Sequence, residues 1–517
     1  MPKFIKKPGI LLGIALLTLW NVFFFSKIFH LDVREYINKK LSRRILPEGI
    51  CKDCNVILIS LDTLRAKSLP CYGYEKNTAP NLCEFAKKSF LFTDSYSQSA
   101  YTLDSHFSIF TSLLPSSHGM ITPFVSTLND KVLTLTQILK NAEYKTIYAG
   151  PGNPTDPNVP IDRGIERGFD MLTGGYDPAT WIEALQKNLP DKGKFFAFLH
   201  TYEVHEPYLP DKKSINKFYD GPVQSFITND ELCRKRYTAL RKINPSRFSG
   251  STSSIADYCL AVDEYELKYA YETYEAHETT YRINADAYWD TFKDIEINER
   301  RKYIQALYEA KVYELDQKLQ LFFMFLEQKN LFANTILIFT SDHGEAFFEH
   351  GNWTHGLDIY NEVIKVPLIV YIPNTSPQEI TKFSQGIDLM PTILKLVGLP
   401  VPDQVQGINL FGKEYNKFII SQHFGNRKRA IIKDNWKFII NYDSGRGING
   451  RELYDIVDDP AERINLTETN VAKVNELESQ LESYIGSLKI YDSMKENAFP
   501  TWINEEQRKR LIETGYF

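Results

Sequence analysis

Four side chains in this sequence carry the groups needed for metal-assisted attack on an ester: Asp62, Thr102, Asp342 and His343. Carboxylates and imidazoles are ligands of divalent cations. A cation held by Asp62, Asp342 and His343 could also contact the Thr102 alcohol, favour its deprotonation and neutralise an anionic ester. These residues therefore predict nucleophilic catalysis in which Thr102 attacks the ester and also joins the metal ligands.

Three histidines are candidates for handling charge or protons: His200, His205 and His355. Each could supply positive charge to the substrate or a proton to the leaving group. There is also an ordinary interpretation, because aspartates after strands often form turns or helix caps and single histidines are usually solvated or hydrogen-bonded. The functional interpretation is favoured because several such residues occur together, each after an apolar segment.

Those apolar segments have the composition of short buried strands. NVILISL precedes Asp62, KFFAFL precedes His200, and NTILIFTS precedes Asp342. Nearly continuous apolar runs separated by helical patterns indicate a parallel sheet covered on both faces. Ligands of such sheets bind beyond the carboxyl ends of the strands, so we expect the three segments to converge on one site. The residues alone predict a metal-dependent hydrolase or transferase.

Three other regions have recognisable patterns. Residues 303–330 have apolar residues at helical spacing and predict a packing helix, in which Asp316 is a structural residue. Residues 211–300 are polar and rich in tyrosine, and predict a mostly helical insertion beside the site, in the position of a lid. Residues 415–517 begin with alternating apolar runs and turns that predict a small antiparallel sheet in a C-terminal subdomain.

The N-terminus predicts a membrane segment. A short tail, 1–8, contains three lysines and is followed by about 18 residues without a charge, so we predict an anchor over 9–29 and a linker over 30–54. The alternative is a cleaved signal peptide, but the apolar run is long for one and no small-residue cleavage motif follows it. We expect a single-pass protein with its large domain outside the cytoplasm.

Bulk composition narrows the possible partners. The 517 residues have a net charge of −5, and acidic and basic residues are interspersed, so nothing indicates a nucleic-acid partner. The sequence has six cysteines, of which Cys51 and Cys54 form a C-x-x-C pair after the linker. No second pair with metal-ligand spacing follows them, so they predict a local disulfide or free thiols rather than a zinc site.

Several motifs resemble the sulfatases of the alkaline phosphatase-like superfamily, in family order from residue 55 to the end. They are NVILISLDTLRAKSLPCYGY, FTSLLPSSHG, FLHTYEVHEPYLP, TSDHGEAFFEHGNWTHG, IDLMPTILKLVGLP and ELYDIVDDPAERINL. The resemblance implies an alkaline phosphatase-like α/β fold with a mostly parallel sheet covered by helices, a catalytic domain over 55–414 and the C-terminal subdomain. It also implies one or two divalent metals, drawn from Ca²⁺, Mg²⁺, Mn²⁺ and Zn²⁺, and a covalent enzyme–ester intermediate.

The resemblance assigns roles to individual residues. Asp62, Asp342 and His343 match the metal ligands, although Thr63 stands where sulfatases commonly have a second aspartate. His205 and His355 match positions that contact the substrate or its leaving group. The family's lysine–histidine motif for sulfate has no counterpart here. The candidate substrate contacts are His106, His200 and Asn153, and His350 is expected to shape the site loop.

The stretch around Thr102 departs from the family. Sulfatases carry C-x-P-x-R or S-x-P-x-R, whose first residue is oxidised to formylglycine. Here Thr102 takes the first position, Asp104 the place of proline and His106 the place of arginine, so no formylglycine is expected. From the residues alone, Thr102 could equally be the N-cap of a helix. Threonine nucleophiles occur in related nucleotide phosphodiesterases and in membrane-anchored phosphoethanolamine and glycerophosphate transferases.

Three functions follow as hypotheses. We favour a membrane-anchored phosphodiesterase or phospho-head-group transferase acting on an anionic ester such as an envelope lipid or glycan, because a phosphorylated threonine has an easier exit by in-line displacement than a sulfated one. The alternatives are a sulfatase that works without formylglycine and a non-catalytic binding protein on the sulfatase fold.

Overall fold

The computed structural model describes residues 45–120, 126–151, 161–175, 177–221, 295–423, 427–442, 450–491 and 494–495. The predicted tail and anchor lie outside these residues, as do residues 30–44 of the predicted linker, most of the predicted insertion and Asn153. Within the described part of the chain, no helix combines the length and apolar content needed to cross a bilayer.

The strands are β1 Asn55–Leu61, β2 Phe90–Phe92, β3 Ser95–Tyr96, β4 Ser126–Thr127, β5 Tyr144–Gly150, β6 Met171–Gly174, β7 Lys194–Thr201, β8 Thr335–Thr340, β9 Ala346–Phe347, β10 Trp353–Thr354, β11 Leu368–Tyr371, β12 Gln378–Ile380, β13 Ser384–Gln385, β14 Ile419–Gln422, β15 Lys428–Lys433, β16 Trp436–Asn441, β17 Arg451–Asp455 and β18 Met494–Lys495. The α-helices are α1 Pro80–Ala86, α2 Thr102–Thr111, α3 Pro115–His118, α4 Leu135–Asn141, α5 Pro178–Asn188, α6 Lys212–Ile215, α7 Ile297–Gln328, α8 Asn361–Ile364, α9 Leu389–Leu396 and α10 Val471–Ser487. Short 3-10 helices occupy Ala66–Ser68, Pro70–Tyr72, Leu331–Asn334 and Gly386–Asp388, and a π-type turn spans Ile161–Ile165.

An eight-stranded sheet forms the centre of the molecule, in the order β12-β2-β11-β8-β1-β7-β5-β6. Every pairing is parallel except the two made by β11. In the register, Ser60 of β1 lies opposite His200 of β7 and Thr340 of β8. The carboxyl ends of these strands therefore meet, which confirms the predicted convergence of Asp62, His200 and the Asp342 segment.

Helices cover both faces of this sheet, as the continuous apolar runs predict. Alternate residues of β1 enter different cores: Ile57 and Ile59 pack with α5 and α7, whereas Val56 and Leu58 pack with α9. Helix α7 confirms the predicted packing helix. Its Asp316 accepts hydrogen bonds from the backbone N–H groups of Asn81, at 3.0 Å, and Leu82, at 2.8 Å, at the start of α1, so its role is structural as expected.

The second sheet is antiparallel, in the order β14-β15-β16-β17, and α10 packs against it as part of one apolar cluster. It confirms the small antiparallel sheet predicted beyond residue 415. Strand β14 also reaches the segment that leads to Thr102. The Gln422 amide donates to the Gln98 carbonyl at 2.8 Å, and the Ser421 hydroxyl donates to the Ser97 carbonyl at 2.6 Å.

Two disulfides lie in the described residues. Cys51 is bonded to Cys54. Of the two predicted states of this pair, disulfide or free thiols, the structure shows the disulfide. Cys71 is bonded to Cys83, linking a 3-10 helix to α1. The second bond was not predicted, because spacing alone does not fix cysteine pairing.

Candidate active site

The predicted metal ligands Asp62, Asp342 and His343 come together beyond the ends of β1 and β8. One ligand atom from each lies within 4.8 Å of the others, and all three residues are fully buried. His343 Nε2 is 3.5 Å from Asp342 Oδ2 and 3.9 Å from Asp62 Oδ1. The three side chains therefore surround a space that is small enough for one cation.

Hydrogen bonds outside this space orient the ligands toward it. His343 Nδ1 donates to the Gly344 carbonyl at 2.9 Å, which leaves the Nε2 lone pair facing the carboxylates. Asp342 Oδ1 accepts from the His343 amide at 2.9 Å. Among the described residues, Asp342 Oδ2 and Asp62 Oδ1 have no hydrogen-bond partner although both are buried. Unpartnered buried carboxylate oxygens facing an imidazole nitrogen fit a divalent cation.

The two carboxyl groups have opposite pKa shifts. Burial, followed by the neighbouring charge of Asp342, raises the pKa of Asp62 well above its ordinary value. Burial alone would raise the pKa of Asp342, but the nearby histidines outweigh it and hold that pKa below its ordinary value. Two like charges this close disfavour double ionisation without a counter-ion, and a divalent cation would allow both carboxylates to ionise.

Thr102 lies over this group and is partly exposed. Its Oγ1 is 3.1 Å from His343 Nε2 and 3.3 Å from Asp62 Oδ2. The structure therefore brings all four predicted metal-site residues together. Thr102 is the first residue of α2 and Tyr101 is the N-cap, so the interpretation of Thr102 as the N-cap is wrong by one residue.

Thr63 does not replace the missing second aspartate. It has a left-handed backbone conformation with φ 57°, and its Oγ1 donates to the Val204 carbonyl at 2.9 Å. The Tyr308 hydroxyl donates to the Thr63 carbonyl at 2.9 Å and holds this turn. The Thr63 side chain is therefore engaged with the backbone beneath the site.

His205 and His355 form the partly exposed rim of the site. Their rings are 4.9 Å apart, and the His355 ring is 4.4 Å from that of His343. His205 Nδ1 donates to the Glu206 carbonyl at 2.7 Å, and His355 Nδ1 lies 3.0 Å from Glu345 Oε1. Burial lowers the pKa of each rim histidine to about 4. Each ring is thus held through Nδ1, with Nε2 left for a substrate.

Glu345 is a site residue that the sequence analysis missed. It is buried, and its second carboxylate oxygen accepts from the Tyr208 hydroxyl at 2.6 Å. Burial raises the pKa of Glu345 to about 7. Its place in SDHGE, two residues after His343, is the sequence signal that could have identified it.

His106 and His200 are buried deeper, with 5% and 1% of their surface exposed. His200 Nε2 is 3.3 Å from Asp62 Oδ2, and the two imidazole rings are 4.6 Å apart. Burial lowers the pKa of His106 to about 3 and that of His200 to about 4. Their predicted role as substrate contacts stays a prediction, as does that of Asn153, which lies outside the described residues.

His350 lies beside the C-terminal sheet rather than among the ligands. Its Nδ1 is 2.6 Å from Glu362 Oε1, and its Nε2 is 3.0 Å from the Glu462 carbonyl. Glu462 in turn pairs with Lys437 of β16 at 2.6 Å, with both side chains fully buried. These contacts agree with the expectation that His350 shapes the loop.

Sequence models of two protein families match the chain. The sulfatase model covers residues 54–399, and a model of the C-terminal region of N-sulphoglucosamine sulphohydrolase covers residues 348–490. The N-acetylglucosamine-6-O-sulfatase of Bacteroides thetaiotaomicron is 23% identical over 465 residues, or 80% of this chain and 82% of that relative.

Solved structures share the fold. A protein in complex with its substrate D-glucosamine-2-N,6-O-disulfate aligns with a TM-score of 0.62 at 20% identity, over 84% of this chain and 97% of the other. The phosphonate monoester hydrolase of Agrobacterium radiobacter aligns with a TM-score of 0.59 at 18% identity, over 85% and 97%. Because the sulfatase model spans more than half of the 517 residues, the chain belongs to the sulfatase family, within the alkaline phosphatase-like superfamily.

Proposed function

We propose that this sulfatase-family hydrolase uses Thr102 as its nucleophile, and that its substrate is a phosphoester. The observation that carries the proposal is the position of Thr102 Oγ1, 3.1 Å from His343 Nε2 and 3.3 Å from Asp62 Oδ2, at the open side of the ligand group. A bound divalent cation supplies charge there that favours the alkoxide and offsets the negative ester.

The proposed reaction has two displacements at phosphorus. Thr102 Oγ1 gives up its proton to solvent and forms a bond to phosphorus, while the bond from phosphorus to the leaving oxygen breaks. Burial lowers the pKa of His205 and His355 to about 4, but a bound anionic ester favours the protonated imidazole, so one of these histidines can take up a proton with the substrate and give it to the leaving oxygen. Water or an acceptor hydroxyl then displaces Thr102 from phosphorus, with the resulting neutral histidine as general base. Water gives hydrolysis and an acceptor gives head-group transfer.

Threonine favours phosphorus over sulfur in this scheme. A formylglycine hydrate releases sulfate by breaking its own carbon–oxygen bond, which an ordinary threonine cannot do. A phosphonate monoester hydrolase among the neighbours has the same fold. The relatives named as sulfatases favour a second candidate, hydrolysis of a sulfate ester without formylglycine.

Intact-protein mass spectrometry tests the nucleophile and the transferred group together. After brief incubation of the metal-loaded protein with bis(4-nitrophenyl) phosphate, we expect a mass gain that peptide mapping assigns to Thr102. The parallel incubation uses 4-nitrophenyl sulfate, and the matched control is Thr102→Val, which keeps the branched shape without the alcohol. A gain with the sulfate alone would establish the second candidate, and a gain on another residue would reject Thr102.

We also propose that residues 9–29 anchor the enzyme in a membrane with the catalytic domain on the outer side. The apolar run is long enough to span most of a bilayer, and the disulfides Cys51–Cys54 and Cys71–Cys83 are typical of an oxidising compartment. An envelope lipid or glycan head group would then be within reach as the substrate.

Fractionation tests the anchor. The full chain should stay in the membrane pellet after an alkaline carbonate wash, and protease added outside the cell should cleave it. A variant lacking residues 1–29, fused to a cleavable secretion signal, should be released in soluble form. Recovery of the full chain in the carbonate supernatant would contradict the proposal.

A further inference from the structure

A second group of ligand-type side chains adjoins the first one. One atom each from His106, His200 and Asp342 lies within 4.8 Å of the others, and all three residues are buried. Asp342 belongs to both groups. A zinc ion bound at about 2.0–2.1 Å from each atom would draw them to a separation of about 3.4 Å, which requires only small side-chain movements.

Helix α2 and the central sheet hold these three residues close together. His106 follows Thr102 by four residues on α2, so both occupy the same face of that helix. His200 is on β7, opposite Ser60 of β1, and Ser60 Oγ lies 2.9 Å from His106 Nε2. The helix and the sheet edge thus hold the two imidazoles at an interplanar angle of 88° beside Asp342.

The Asp342 oxygen that faces the first ligand group also supports a ligand shared by the two groups. Asp342 Oδ2 is buried and has no hydrogen-bond partner in the described part of the chain. No lysine or arginine of that part forms an ion pair with Asp342 or Asp62, whose ion-pair contacts are all to histidines. Buried carboxylates without cationic partners are costly unless a metal compensates them.

We propose that His106, His200 and Asp342 bind a second divalent cation, with the Asp342 carboxylate shared between two ions. Two imidazoles and one carboxylate suit a transition ion such as Zn²⁺, whereas the oxygen-rich group of Asp62, Thr102, Asp342 and His343 also accepts harder ions. Two cations would balance the charges of both carboxylates, the Thr102 alkoxide and a phosphodiester. The charge balance rests on the proposed function. The positions of His106, His200 and Asp342 do not depend on it.

Metal content tests the proposal without any substrate. The full chain is stripped with a chelator, dialysed to equilibrium against buffered Zn²⁺ or Mg²⁺, and analysed by inductively coupled plasma mass spectrometry. We expect about two Zn²⁺ per parent chain, and fewer than two Mg²⁺. The double variant His106→Gln/His200→Gln should bind about one Zn²⁺, because glutamine can replace the hydrogen bond to Ser60 but not the imidazole ligand.

The matched control is His118→Gln. His118 is also a fully buried histidine, bonded to Ser108 at 3.2 Å, but it belongs to neither ligand group. This variant should keep about two Zn²⁺ per chain. One Zn²⁺ in the parent would overturn the proposal even if a variant fails to fold, and so would two in the folded double variant. Either result would mean that His106 and His200 only form hydrogen bonds around a single ion. Mass labelling of Thr102 reports on the proposed function separately.

Discussion

Thr102→Val should lower kcat for bis(4-nitrophenyl) phosphate by about 1,000-fold or more, since removal of a covalent nucleophile leaves only substrate binding and charge stabilisation. The hydroxyl is partly exposed and engages only site residues in the described structure, at Asp62 and His343. Its loss should therefore leave the melting temperature close to that of the parent. Release of 4-nitrophenol under saturating metal measures the effect.

Thr102→Ser provides the matching control. Serine keeps the alcohol in the same helical position and should retain turnover within about 100-fold of the parent, because only methyl packing is lost. The Thr102→Val protein should still bind its metal, although with reduced affinity. Turnover by Thr102→Val within tenfold of the parent would mean that water, rather than Thr102, attacks the ester.

Asp62→Asn should remove the ion of the first ligand group and lower turnover by about 100-fold or more. The cation-free variant should melt at or above the temperature of the cation-free parent, because the change removes a carboxylate whose pKa is raised by burial and by Asp342. The rise in melting temperature that Mg²⁺ produces in the parent should disappear. Thermal scans with and without Mg²⁺ measure both effects.

Asp316→Asn distinguishes metal loss from general damage. Asp316 is also a buried carboxylate, but its oxygens accept hydrogen bonds from Asn81 and Leu82 at the start of α1. Its substitution should lower the melting temperature and leave the response to Mg²⁺ intact. An Asp62→Asn protein that keeps the Mg²⁺ response would contradict the ligand assignment.

The strand pattern was sufficient to predict where the candidate site residues meet. In a parallel sheet the polar residues that follow adjacent strands must meet, and the register of Ser60 with His200 and Thr340 shows that they do. The run containing β11 has the same apolar character but is antiparallel to its neighbours. Composition could not reveal this, because strand direction depends on chain connections rather than on side chains.

The deeper part of the site depends on contacts between distant segments. The position of His106 on α2 places it on the face of Thr102, but only the packing of that helix on β1 brings Ser60 to its ring. Glu345 contacts His355 and Tyr208, which lie 10 and 137 positions away. Such pairs have no fixed spacing, so SDHGE could have indicated Glu345 itself but not its partners.

Strand β14, which carries Ser421 and Gln422, connects the two sides of the predicted domain boundary near residue 414. Those residues form hydrogen bonds with Ser97 and Gln98, just before the helix that begins at Thr102. The segment that leads to Thr102 is therefore held partly by the C-terminal sheet. A fragment that ends at this boundary would therefore lack one of the supports that position Thr102, the nucleophile we propose.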